Sequence, residues 1–576
     1  MEEDPPPPPH RKAGGNESFE KLASMSLIAN ITVYLRTNYN MEGILLVNVV
    51  TIWSGTSNLA SLAGAIVSDA YVGRFLTLLF GSIASFLGMG TVTLTAGIPQ
   101  LRPPTCQEES HCLQPQMWQL GFLFTGLGLL VIGAGGIRPC NIAFGADQFD
   151  TTTEKGKAQL QSFFNWWYFS FTIALFIALT VVVYIQTNVS WVLGFAIPTA
   201  CLAFSIFIFL LGRHFYIYKN PQGSIFVDMS KVITAALRKR RIILSPTCKY
   251  SFYDPLNNES DSDSESDPKV AELTHTHRFK FLDKAAIIIS PNELNSEGKP
   301  INSWKLCSVQ QVEHFKCLVG IVPVWFSGIG CFIVMDQMGT FGVLQAIQMN
   351  NSIGKHFKIP PGWMGISSMI ALAIWIFIYE RLYIPLMKKI FQREARLTLQ
   401  QRIGTGIVIS ILCVLVAGVV ERQRRESALK QGSFASPIFV ALLVPQFILS
   451  GLTEAFAAVA IMEFYSTQMP ESMRSIAGSI FFLSLSIASY LSTLIVNLIH
   501  STSGSNGRSP WLGGHDLNMN RLDYYYYVIA SLGAINLIYF TCFARHYVFC
   551  EKVNSGRELP QLKKSIPDLP KNQDEE

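Results

Sequence analysis

Charge is what this sequence has least of. Only 15% of its 576 residues are Asp, Glu, Lys or Arg, against roughly 25% in a soluble domain, so much of the surface must face something other than water. The net charge of +5 is too small a basic excess to point to nucleic acid. The eleven cysteines contain no CxxC pair, and most lie in apolar runs, where a thiol acts as a small hydrophobe. Metal-ligand spacing is missing and the ten histidines are scattered, so no metal or other cofactor is expected. No Gly-rich loop ending in Lys-Ser/Thr is present, which removes the phosphate cradle that ATP-driven transport needs. The acidic and then polyproline start, Met1 to His10, has neither the basic nor the apolar segment of a cleaved signal. Convergent His, Asp or Ser groups at one depth are also missing, so the chain is not expected to be an enzyme and no catalytic residue is assigned.

What is present is apolar length. Hydrophobic residues make up 49% and aromatics 12%, with a mean hydropathy of +0.30. A membrane crossing takes about 20 apolar residues, and that ruler places spans near 17–38, 43–67, 75–98, 117–140, 161–186, 190–212, 315–337, 362–386, 403–420, 436–465, 474–499 and 523–547. The expected fold is an all-α membrane protein of about twelve transmembrane helices in two six-helix bundles around a midplane site. Residues 1–15 form a Pro-rich tail, 16–213 the first bundle, 214–314 a partly disordered linker, 315–547 the second bundle and 548–576 a second tail. The linker holds a basic amphipathic piece, Lys231 to Arg241, and an acidic-serine tract, Asn257–Asp267, open to a regulatory kinase.

Lys and Arg near span ends set orientation. The linker, the loop after span 8 (Arg381 to Arg402) and the tail are rich in them, which puts both termini in the cytosol. Arg422, Arg424, Arg425 and Lys430, between spans 9 and 10, dissent. Cys106 and Cys112 then lie in an external loop, where spacing leaves their pairing open, and Asn188-Val-Ser190 is an external sequon pressed against the membrane. Plasma membrane is the expected site in preference to the vacuolar membrane.

A charge inside the bilayer costs about 2.5–3.5 kcal/mol even on gentle scales, so each one needs a reason. Glu17, Glu20 and Lys21 share one helical face at the start of the first span, where carboxylates beside an ammonium can exchange a proton for an ion pair. Read plainly, they are acids in a first helical turn behind an Asn16 cap. Asp69, Gly73 and Arg74 join spans 2 and 3 and read as a conformational latch, a tight turn with charge-assisted bonds to helix ends. Arg138 follows Gly133-Ala-Gly-Gly136 and would either clamp an anionic group or snorkel to the interface. Glu454 lies deep in span 10 with no benign reason to be there, whereas Glu463 reads as structural. Lys316 and Asp336-Gln337, at the two ends of span 7, read as interfacial. In the run Ser162 to Ser170, Trp166 and Tyr168 would stack on a sugar or aromatic solute, or belong to the aromatic belt. With no ATP site, an ion gradient is the remaining energy source.

In this order and on these spans, the motifs resemble those of the plant nitrate/peptide transporters, part of the proton-coupled oligopeptide transporters of the major facilitator superfamily. Glu17-Ser-Phe-Glu20-Lys21 is similar to that family's E-x-x-E-K/R motif, Gly64 to Arg74 to its loop 2–3 signature, Phe163 to Ser170 to its fifth-helix signature, and Gly135 to Arg138 to its cationic fourth-helix site. Pro323-Val-Trp325, Gln337 to Gln345 and Thr453 to Phe456 also fit. The resemblance implies a major-facilitator fold and proton symport, with Glu17, Glu20 and Lys21 relaying the proton, Arg138 and Glu454 contacting substrate or each other, and Met335 and Gln337 also at the substrate site. Asn16 to Leu27 and Gly135 to Asp150 are most similar to the subfamily with glucosinolate, other glycoside and low-affinity nitrate carriers. A small organic anion or glycoside is therefore the expected cargo, with low-affinity nitrate transport as the alternative and a channel or solute sensor as the rival classes. Three departures stand out. The dual-affinity nitrate carrier's seventh-helix histidine falls on Met335, which cannot carry a cation for nitrate. The fifth-helix signature runs on into Phe171-Thr-Ile-Ala174 instead of Asn-x-Gly. Gly14-Gly15 abuts Asn16 where relatives have roughly eight more residues, and a missing short coding segment is the expected cause.

Overall fold

The computed structural model describes residues 13–104, 113–149, 153–218, 225–241, 252–253, 275–276, 279–289, 293–295, 300–355, 357–391, 396–469, 474–504 and 510–549. Tract 257–267, Cys106 and Cys112 lie outside them. Eleven helices among these residues are long and apolar enough to cross a membrane. They are α2 (Gly43–Val72), α3 (Arg74–Gly97), α4 (Met117–Ala146), α5 (Glu154–Ile177, continuing as π-turns to Val189), α6 (Trp191–Leu211), α8 (Val309–Ile347), α9 (Pro361–Ile390), α10 (Leu399–Gln431), α11 (Val440–Gln468), α12 (Arg474–Ser503) and α13 (Leu522–Cys542). The helix α1, Ala13–Thr37, buries Leu27, Ile31, Tyr34 and Leu35 among them. The linker helix α7, Ile225–Arg238, comes between α6 and α8.

Local chemistry sets the ends. Thr398 caps α10 with a capping box closed by Gln401, and Gly432 ends that helix at φ +61°, the left-handed turn that glycine adopts freely. Consequently α10 runs eleven residues past the expected end at 420, and the dissenting basic cluster is helix and not loop. Arg424 is fully buried there, paired with Glu421 at 2.8 Å. Its charge is answered inside the protein, so it says nothing about which side of the membrane it faces.

Chain order fixes two ends of the helical unit. The proximal end is where α1 begins; the distal end carries the described turn residues 38–42, 348–355, 357–360, 432–439 and 510–521. Two short pairings, Met349 with Ser436 and Ser352 with Lys358, cover part of the distal end. The distal half holds one hydrophobic core shared by both bundles, including Ile31, Leu46, Val50, Met338, Phe341, Met364 and Val496. In the proximal half the cores separate: Leu78, Ile137, Phe144 and Phe209 belong to the first bundle, Ile403, Ile407, Ala460 and Phe464 to the second.

The described residues between Val232 and Lys316 form a second compact unit. Val232, Ala235, Leu282, Ala285 and Val312 make its core. At its edge Lys316 sits 2.6 Å from Asp283 and 2.7 Å from Glu313, so Lys316 closes a buried ion network and is not interfacial. His275, Asp283 and Glu313 lie close enough to hold a metal ion, but the Lys316 ammonium already supplies the cation they face.

Candidate transport site between the bundles

The distal bundle contact is a polar seam between α2 and α12. Asn48 and Asn497 exchange reciprocal amide hydrogen bonds at 3.0 Å. Thr51 meets Thr493 at 2.6 Å and Thr56 meets Tyr490 at 3.0 Å. At Gly55 the helices come so close that a Cβ would lie 3.2 Å from the Ser486 carbonyl and 3.3 Å from the Ser489 Cβ. Elsewhere Thr32 donates to the Gly339 carbonyl, and Asn188 donates to the Lys358 carbonyl at 2.9 Å, so the sequon amide is engaged in a bundle contact.

Directly proximal to the seam lie the charged groups. On the first-bundle side, Arg138 donates through Nη1 to Asn58 at 3.1 Å, one turn of α2 beyond Gly55. It lines a cavity of 20 Å³ with Ser24, Ser57 and Ser85, room for one water molecule. Ser24 brings α1 to that cavity. The side chains of Glu17 and Glu20 lie outside the described residues. Lys21 is half-buried, its ammonium 5.5 Å from the Phe171 ring centre. Phe171 thus supplies a cation–π contact at the point where the family's fifth-helix pattern changes.

On the second-bundle side, Asp336 accepts from Ser489 Oγ at 3.3 Å, while its other oxygen is buried with no hydrogen-bond partner. A carboxyl held this way is the group that sequence reasoning passed over as interfacial. The overlooked signal is an acid beside Gln337 on the same helix, with eleven more helical residues after it. Glu454 is half-buried in a π-turn of α11, with no ion-pair partner among the described residues. One turn on from Glu454, Ala458 packs with Phe332 of α8 and Ala488 of α12; Asp336 is one turn on from Phe332 in the distal direction. The two carboxyls therefore sit at similar depth.

The remaining expected site residues fall differently. Gln337 is fully buried and its amide is occupied, donating to Ser492 at 2.7 Å and accepting from Tyr525 at 2.7 Å, so it clasps α8 to α12 and α13. Met335 packs against the apolar cluster of Ile329 and Phe332. Trp166 is 63% exposed, and the side chain of Tyr168 lies outside the described residues. The latch residues do come together: Arg74 reaches Asp147 at 2.6 Å and Asp69 at 3.4 Å, after Gly73 at φ +84°. Asp147, at the end of α4, is the member the loop motif alone did not reveal. Glu463 pairs with Arg402.

Eleven membrane-length helices among the described residues, a seam shut at one end and charges beneath it describe a scaffold for moving solutes. The family model described as PTR2, POT family, matches residues 75–512, well over half of the chain. The chain belongs to the POT family. POT-family proteins are membrane transporters that move small solutes with protons, and they are not enzymes. The chain is 57% identical to protein NRT1/PTR family 2.8 of Arabidopsis thaliana over 534 residues, 92% of this chain and 93% of the relative. It is 45% identical to Arabidopsis protein NRT1/PTR family 2.13, over 92% of this chain and 85% of that one. Among solved structures, the POT-family transporter PepTSo superposes with a TM-score of 0.66 at 18% identity, covering 95% of this chain and 100% of that one. That likeness carries the fold alone.

Proposed function

We propose that the chain is a proton-coupled symporter of a small organic anion or glycoside, working by alternating access, with its distal end closed in this state. The observation that carries this reading is the set of charges beneath the seam: a cation, Arg138, in the first bundle, and two half-buried carboxyls, Asp336 and Glu454, at similar depth in the second. Deprotonated carboxyls would hold the cations; protonation releases Arg138 and Lys21 to an anionic group of the solute. Glu17 and Glu20 would relay the proton, and the Asp69–Arg74–Asp147 latch would fasten the proximal end in the opposite state. Both termini face the cytosol in this reading, which makes the distal end external at the plasma membrane. A kinase acting on tract 257–267 belongs to the same reading and rests on sequence alone. Met335 offers no cation at the nitrate carrier's histidine position, which favours an organic solute over nitrate.

The test is uptake in proteoliposomes. An inward proton gradient should drive accumulation of glucosinolate or flavonoid glycoside above equilibrium, and a proton uncoupler should collapse it. Accumulation indifferent to the uncoupler would defeat the reading.

A further inference from the structure

The loop 510–521 is built into both bundles. The Gly43 amide of the α1–α2 turn donates to the Gly514 carbonyl at 2.9 Å. On the second-bundle side, Gln348 accepts from the Leu517 amide at 3.1 Å, and Asn518 accepts from Arg424 Nη1 at 2.8 Å. Asn518 also donates to the Phe434 carbonyl at 2.9 Å, and its own carbonyl accepts from Arg425. At the point where the loop crosses between bundles stands His515. Its half-buried ring stacks on Phe434, with centroids 5.8 Å apart and planes 26° apart, and it feels the charge of Arg36 on α1. Arg36 is itself buried and donates to the Met41 carbonyl at 3.0 Å.

We propose that His515 is a proton sensor of distal closure: neutral, it lets loop 510–521 bridge the bundles, and protonated, it is driven away from Arg36 and the distal end opens. This shares with the proposed function only the premise that the distal end opens during the cycle. A half-buried cation within the field of a guanidinium is penalised twice, by desolvation and by like charge. The face of Phe434 favours a cation weakly, and burial followed by Arg36 outweighs it, pushing His515 from 6.5 down to about 4. The other charges near this point are Glu42 in the α1–α2 turn and Asp516 in the loop, both acting on Arg36. His500 at the end of α12 hydrogen-bonds the Leu512 carbonyl, and Arg424 and Arg425 are engaged by Asn518.

The sign follows from linkage. A histidine depressed in the closed state and ordinary in the open one binds its proton preferentially when open. Closure is then fully favoured above about 6.5 and is lost as pH falls toward about 4, by up to about tenfold per pH unit. Acid on the distal side thus prepares the carrier for loading.

The experiment uses the full-length protein in detergent, with donor and acceptor fluorophores on non-natural residues at the exposed positions 117 and 519. The wild type should show a distal-open fraction that climbs as pH falls from 7.5 to 4.5. His515→Gln should remove the part of that rise lying between pH 6.5 and 4, and His515→Lys should hold the end open at pH 7.5 at least tenfold more often than the wild type. His500→Gln should match the wild type. A His515→Gln profile superimposed on the wild type, a His515→Lys protein as closed as the wild type at pH 7.5, or flattening by His500→Gln alone would each overturn the sensor. No solute is involved, so a failure of uncoupler-sensitive uptake defeats the transport reading and leaves this result to stand or fall alone.

Discussion

Single side chains in this protein do work that depends on whether burial leaves them a partner. Glu454 has none among the described residues, which is an unstable arrangement unless it binds something in the cycle. Glu454→Gln should lower proton-driven uptake at least about tenfold, the equivalent of 1.4 kcal/mol, while size-exclusion and thermal unfolding profiles stay those of the wild type. Full activity would remove Glu454 from the site. Arg424 is the opposite case. Bound to Glu421 and Asn518 and wholly buried, it should cost about 3–5 kcal/mol when replaced alone by Met, because Glu421 is left charged and unpaired. Thermal unfolding of Arg424→Met beside the Glu421→Leu/Arg424→Met double variant checks this; the double should recover most of the loss. Single charges were only half legible in the sequence. Glu454 and Arg138 stood out because their neighbours in the chain are apolar. Asp336 and Lys316 were misplaced because each lies near the end of an apolar run, and only tertiary packing decides whether a run's end is wet.

At the scale of the helix, close approach is bought with missing side chains. A Cβ on Gly64 of α2 would lie 1.8 Å from the Gly135 carbonyl oxygen of α4, and backbone cannot move aside as a side chain can. Gly64→Ala should therefore force α2 and α4 apart and lower the unfolding midpoint by several degrees, read by thermal unfolding in detergent, and an unchanged midpoint would contradict the contact. Glycine spacing in both helices made this packing readable in advance. The α2–α12 seam was not readable, because Asn48, Thr51 and Thr56 are ordinary polar residues until α12 lies opposite them. Breaking the reciprocal amide pair with Asn48→Ala removes two hydrogen bonds of about 1 kcal/mol net each. Fluorophores at positions 117 and 519 should then report a distal-open fraction raised by about tenfold or more; no rise would mean that the seam does not hold the end shut.

For the whole molecule, hydropathy and length located every span that the structure describes as helix, since burial in lipid demands long apolar helices whatever else the chain does. Their boundaries shifted where a cap governed: α10 runs to Gly432 and α8 to Ile347. The break between the sixth and seventh spans was equally legible, from the long polar stretch that separates α6 from α8. The state of the carrier was not, because closure at one end depends on contacts between residues hundreds of positions apart. Seen whole, a molecule with its shared core at the distal end and separate cores proximally should admit bulky thiol reagents to proximal cavity positions and refuse them at distal ones. Cysteine accessibility at Asn58 against Asn48 measures that difference, and equal labelling would contradict it.

The seam described between α2 and α12 is made of Asn, Thr, Tyr, Ser and Gly, none of which carries a formal charge. An electric field across the bilayer exerts its force on formal charge, about 2.3 kcal/mol per elementary charge for each 100 mV. Parting the seam therefore moves no gating charge, and its energy is the same in a polarised cell as in a depolarised one. Any voltage dependence of the transport current must then arise outside the seam, at Arg138, Lys21, the carboxyls and the proton taken up by His515.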